Sequence, residues 1–133
     1  MHQIEMEVRD NELDIQGVVN NANYFIYLAH ARHKFIQELG IDFAQMAQNQ
    51  QNMYLIESNI QFKGALRSQD IFSIKSKLVA EGKIKFAFAQ TIHKADGTLI
   101  ASAHNICVCM DESTHRKKPY VPQELVNFIE VNS

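Results

Sequence analysis

Four residues in one short stretch have the types and spacing to do chemistry: Asp14, Gly17, Asn20 and Asn21, within Arg9-Asp-Asn-Glu-Leu-Asp-Ile-Gln-Gly-Val-Val-Asn-Asn-Ala-Asn-Tyr24. The Asp14 carboxylate can attack an activated carbonyl or take a proton from water. Gly17 supplies a turn. Asn20 or Asn21 caps the helical pattern that follows. The first N–H groups of a helix have no partners within it, so a backbone donor at Asn21 or its neighbour can receive charge developing on a carbonyl oxygen. The partial positive charge at the helix start also favours an ionised acid beside it. Each residue has a plainer use as well. Asp is a favoured turn residue, and an Asn before an amphipathic run is commonly a cap alone. The spacing by itself leaves both uses open.

The elements that must hold these residues are legible from periodicity. Tyr24, Leu28, Ala31, Phe35 and Leu39 fall at helical spacing, with Phe25, Ala29 and Ile36 widening the apolar stripe. Arg32, Lys34, Gln37 and Glu38 make the opposite face, and Gly40 reads as the C-terminal cap. The pattern predicts a helix of about five turns. Residues 41–51 read as a weak short helix or ordered loop, expected to act as a lid. Before the site loop, Ile4, Met6 and Val8 alternate with polar residues as a half-buried strand.

From Met53 the period becomes two. Tyr54, Ile56, Ser58, Ile60 and Phe62 form one face of a strand. Phe72 to Ala80 and Ile84 to Ile92 form two more, joined at Glu81-Gly82, and Asp96-Gly97 is a hairpin signal. Thr98 to Met110 is apolar or small on both sides, as in a central strand. Residues 111–119 read as a charged, exposed loop. Pro122, Leu125, Val126 and Ile129 mark a short final helix. One helix cannot cover both faces of such a sheet, so a second copy of the chain is the simplest cover.

The 133 residues are expected to form a single domain over 1–133. A net charge of −2 gives no sign of a nucleic-acid partner, and no apolar run reaches the length of a membrane span. The opening Met1-His-Gln-Ile-Glu lacks the marks of a signal peptide, so the expected location is cytoplasmic. Cys107 and Cys109, two apart in a strand pattern, read as buried fillers without a disulfide. His30 and His33 are spaced i, i+3, but no second cluster supports a metal, and none is expected. Neither a phosphate loop nor a Gly-x-Ser-x-Gly elbow is present. Lys63, Arg67, Lys83, Lys85 and the Arg116-Lys117-Lys118 run are candidate contacts for a phosphorylated carrier.

Leu13-Asp14-Ile-Gln-Gly17-Val-Val19-Asn20-Asn21-Ala-Asn-Tyr24, with Tyr27 and Ala31-Arg32, resembles the signature of hotdog-fold acyl-CoA thioesterases of the 4-hydroxybenzoyl-CoA thioesterase-like branch. Bacterial long-chain acyl-CoA thioesterases belong to the same group. Weaker likenesses are Ile60-Gln-Phe62-Lys63 with Asp70, Asp96-Gly97-Thr-Leu-Ile-Ala, and Cys107-Val-Cys-Met-Asp111. The resemblance implies an α+β hotdog fold, a long central helix wrapped by a five-stranded antiparallel sheet. It also implies a homodimer or homotetramer with active sites at the subunit interface, working in lipid metabolism.

By the same resemblance, Asp14 is the catalytic nucleophile or general base, and the Asn21 N–H polarises the thioester carbonyl. Gly17, Val19, Asn20, Tyr24, Tyr27, Leu28, Asn59 and Lys63 are substrate-binding candidates. The implied substrate is an acyl-CoA or acyl carrier protein thioester, with no cofactor beyond the coenzyme A of the substrate. Two departures stand out. Relatives often carry Glu-x-Ala-Arg where this chain has Ala29-His30-Ala31-Arg32, and Tyr-Lys-x-Pro where it has Phe62-Lys63-Gly64-Ala65. Two other expectations compete: a hotdog hydratase or dehydratase, which would need a His beside the acid, and a non-catalytic acyl-CoA-binding domain.

Overall fold

The computed structural model describes residues 1–129, so the expected domain over 1–133 runs slightly beyond them. Strand β1 (His2–Glu7) leads through a 3-10 turn at Asp10–Glu12 and the site loop into helix α1 (Asn21–Glu38). A short helix α2 (Phe43–Gln48) follows, then β2 (Gln51–Phe62), β3 (Ile71–Glu81), β4 (Lys85–Lys94) and β5 (Leu99–Asp111). The chain closes with β6 (Lys118–Tyr120) and α3 (Gln123–Val126). All pairings are antiparallel, in the order β1-β3-β4-β5-β2, with β6 beside the end of β5.

Helix α1 runs across one face of this sheet. Asn20 caps it, its Oδ1 accepting from the Ala22 N–H at 2.8 Å, and Gly40 ends it at φ +92°. Its buried stripe is Tyr24, Tyr27, Leu28, Ala31, Phe35 and Ile36. The N-terminal half packs in a cluster with Leu66, Phe72, Ile74 and Ile92. The C-terminal half packs in a second cluster with Leu78, Phe86, Phe88, Cys107 and Cys109. Burial pushes both thiols up, Cys107 to about 11 and Cys109 to about 12.

Several expectations are corrected. The sheet has six strands rather than five, because Lys118–Tyr120 pairs with β5 inside the segment read as loop. The alternation read for β2 breaks at a bulge between Leu55 and Glu57. Met53 therefore packs inward before the bulge and Ile60 after it, an odd and an even position on one face. Phe25 does not widen the buried stripe, being 47% exposed, and Ile84 lies exposed in the turn before β4. Helix α2 packs away from the Asp14 loop. It buries Met46 in the second cluster, with Phe35 and Ile36 at the other end of α1.

Candidate active site

The site loop is a tight hairpin. Leu13 and Val19 form a bridge, the Asp14 N–H donates to the Val18 carbonyl at 2.8 Å, and the Gly17 N–H donates to the Asp14 carbonyl at 3.0 Å. Gly17 closes the turn at φ +79°, a conformation that glycine adopts without a steric cost. Asp14 is half-buried. Its Oδ1 accepts from the Gln16 N–H at 2.8 Å and from the Val18 N–H at 3.4 Å. Among the described residues its Oδ2 accepts from no protein group, which leaves one carboxylate oxygen for chemistry.

The loop is tied to the helix on both sides of Asp14. The Glu12 carbonyl accepts from the Asn20 N–H at 3.0 Å and from Asn23 Nδ2 at 3.1 Å. The Val19 N–H donates to the Leu66 carbonyl at 2.9 Å, and Val18 bridges Arg67. With Asn20 capping Ala22, the Asn21 N–H is the first-turn donor that meets no protein acceptor among the described residues. Arg67, one of the basic carrier candidates, is thus brought to this loop.

Glu12 is the residue that sequence reasoning passed over as part of a charged turn. It is only 4% exposed. Its Oε1 accepts from the Arg9 N–H and from the Tyr27 hydroxyl, both at 2.8 Å. Its Oε2 accepts from Arg9 at Nε and from a terminal guanidinium nitrogen, at 3.2 and 2.9 Å. Burial alone would raise its carboxyl. The hydrogen bonds from the Arg9 backbone and side chain and from Tyr27 outweigh that and hold it below the usual range. Burial, and then the bond to Glu12, pushes the Tyr27 phenol well up. The i, i+3 spacing of Arg9 and Glu12 was a visible signal of a local pair. The Tyr27 contact is tertiary and had none.

The other candidates separate. Tyr24 and Tyr27 are buried with their hydroxyls engaged inside the protein, Tyr24 accepting from the Leu66 N–H at 3.1 Å. In the protomer they hold the loop and core. Val19 is likewise core, and Asn20 is the cap. Leu28 has its side chain in the core yet borders a cleft between α1 and β2. Asn59 lies exposed on β2 and Lys63 just past its end. Neither hydrogen-bonds to the Asp14 loop among the described residues.

Arg32 also departs from its expected place on the polar face. Its guanidinium reaches under the helix, a terminal nitrogen donating to Gln90 Oε1 at 3.2 Å. Gln90, Asn105 and Ser76 are buried there, with Gln90 Nε2 donating to the Leu28 carbonyl at 3.1 Å and to Ser76 Oγ at 2.9 Å. Among the described residues no three His, Cys, Asp or Glu side chains gather as metal ligands.

A curled antiparallel sheet around one long helix, with an acid-bearing hairpin set at the helix start, defines the hotdog fold. The chain belongs to the Thioesterase-like superfamily, whose family model matches residues 8–129. It is 35% identical over 111 residues to a chloroplastic acyl-acyl carrier protein thioesterase of Arabidopsis thaliana, a match covering 83% of this chain and 58% of that relative. The chain thus spans little more than half the length of that relative. A 1,4-dihydroxy-2-naphthoyl-CoA thioesterase from Synechocystis has a similar fold, with TM-score 0.86, 19% identity and coverage of 96% of this chain and 93% of the other. A 4-hydroxybenzoyl CoA thioesterase in complex with 4-hydroxybenzoyl CoA superposes with TM-score 0.83 at 15% identity, over 96% of each chain. No helix among the described residues is long and apolar enough to cross a membrane.

Proposed function

We propose that this protein hydrolyses acyl thioesters, releasing a free acid and the thiol of coenzyme A or of an acyl carrier protein. Asp14 is the nucleophile or general base. Its free Oδ2 attacks the thioester carbonyl or takes a proton from the attacking water, while the Asn21 N–H and the helix start receive the oxyanion. The departing thiolate is a good leaving group, so one acid and one donor suffice without a triad. The observation that carries this reading is a carboxylate with one oxygen unengaged among the described residues, on a hairpin tied to a helix start whose Asn21 N–H meets no protein acceptor among them.

The working unit in this proposal is a homodimer formed along β2. That strand pairs with β5 on one side, and among the described strands none pairs with its other edge. It exposes Tyr54, Leu55 and Ile56 beside Phe25 and Ile26 of α1. Such an apolar edge is a template for pairing with a second copy. Asn59 and Lys63 would then face the partner's site rather than their own.

The test is thiol release from a panel of aliphatic and aromatic acyl-CoAs and acyl carrier protein thioesters. Turnover above the spontaneous rate on any of them supports the reading. Tight binding with no turnover on all of them overturns it in favour of a non-catalytic acyl-binding domain.

A further inference from the structure

The cleft between α1 and β2 has a volume of about 250 Å³. Phe25, Ile26 and Leu55 wall it, and Arg32, Ser58 and Asn105 give it a polar floor. Phe25, the lining residue nearest the helix start, lies one helical turn beyond Asn21.

We propose that this cleft seats the acyl group and that Arg32 selects acyl groups bearing a carboxylate at their far end. The proposal rests on the hydrolase reading above and deepens it to a substrate class. The floor groups are not alike in what they have left to give. Gln90 donates to Leu28 and Ser76 and accepts from Asn105 Nδ2 at 2.9 Å. Asn105 Oδ1 in turn accepts from the Ser58 hydroxyl. These amides are satisfied among themselves.

Among the described residues Arg32 makes one hydrogen bond to a protein acceptor, Gln90, and no carboxylate lies within ion-pair distance of it. A guanidinium carries five N–H donors in a fixed fork that matches a carboxylate. A plain alkyl end in this cleft strips water from that cation and returns nothing. A carboxylate replaces the water with charge-assisted bonds.

The identity of residue 29 decides the sign of the site. Ala29 lines the same cleft and brings no charge to it. A carboxylate at 29 would stand i, i+3 from Arg32 and neutralise it; Ala29 leaves it available to a ligand. The distance follows from the helix. Through Gln90 the guanidinium sits level with the Leu28 carbonyl, seven residues past Asn21, or roughly 10 Å along the axis. That is the reach of a chain of medium length.

The experiment measures kcat/KM for octanoyl-, decanoyl- and dodecanoyl-CoA against their ω-carboxy counterparts, on wild type, Arg32→Met and Ala29→Glu. Calorimetry gives Kd for the same esters with Asp14→Asn and with Asp14→Asn/Arg32→Met. Arg32→Met removes the charge and orphans nothing, since Gln90 keeps its Asn105 donor; circular dichroism checks the fold. The wild type is expected to prefer the ω-carboxy ester at one of these lengths by about tenfold to a hundredfold. Both single variants are expected to bring that ratio to near unity or below.

A wild type that prefers the unsubstituted chains overturns the proposal, as does a ratio that both variants leave unchanged. A flat ratio at every length overturns it too. If no ester is hydrolysed, the hydrolase reading falls, and the ratio of Kd values between Asp14→Asn and the double variant still decides the role of Arg32.

Discussion

In the proposed mechanism Asp14 can act only if its hairpin is fixed against the helix start, and Glu12 is the side chain that fixes it. Its two oxygens take four hydrogen bonds while its backbone carbonyl takes two more from the first turn of α1. Replacing Glu12 by Gln removes the charge that Arg9 and Tyr27 address. The expected loss is about 1–3 kcal/mol of stability, read from urea melts. The carboxyl is held below its ordinary value of 4.5 in the folded state. Its contribution is therefore fully present at neutral pH and is lost as pH falls from about 4.5 through the folded value. Plots of Tm against pH should show a steeper acid limb for wild type than for Glu12→Gln; parallel curves would assign the acid limb to other carboxylates. The turn that carries Asp14 was readable from Gly17. The burial of Glu12 was not, because the phenol that completes it lies fifteen residues away in the helix.

At the scale of elements, periodicity gave α1 and the inward faces of β3 and β4 correctly, since Phe72, Ile74 and Leu78 and then Phe86, Phe88 and Ile92 are all buried. It failed where a strand does not keep its period. The bulge after Leu55 turns the second half of β2 over, and no Gly or Pro marks it in the sequence. β6 escaped because it is three residues long, contains Pro119 and follows a basic run. Arg32 escaped because a long side chain on a polar face can fold back under its helix toward buried amides. The helix start depends on one cap. Asn20→Ala removes the acceptor of the Ala22 N–H and is expected to cost about 1 kcal/mol, seen as a fall of a few degrees in Tm. An unchanged Tm would mean that the ties through Glu12 hold the helix start without the cap.

For the whole molecule, the apolar surface sits where a partner would extend the sheet. Phe25, Ile26, Tyr54, Leu55 and Ile56 are each more than two-fifths exposed, on one helix face and one sheet edge. The proposed dimer predicts that Leu55→Glu, a charge placed on that edge, shifts the protein to a monomer in analytical ultracentrifugation and lowers its activity with it. A wild type that sediments as a monomer at micromolar concentration would contradict the proposed working unit. The expectation of a second copy came from the sequence, because one helix cannot cover two faces. The edge that would meet it did not, since β2 reads there as an ordinary alternating strand.

The most direct measurement is thiol release by wild type and Asp14→Asn side by side, on the acyl thioester that wild type turns over fastest. The substitution keeps an oxygen acceptor for the Gln16 N–H and so keeps the hairpin. The account predicts an unchanged fold and oligomeric state with kcat reduced about a thousandfold, the scale expected when a nucleophile or general base is removed. An Asp14→Asn variant that retains wild-type turnover would contradict it and move the chemistry to another residue.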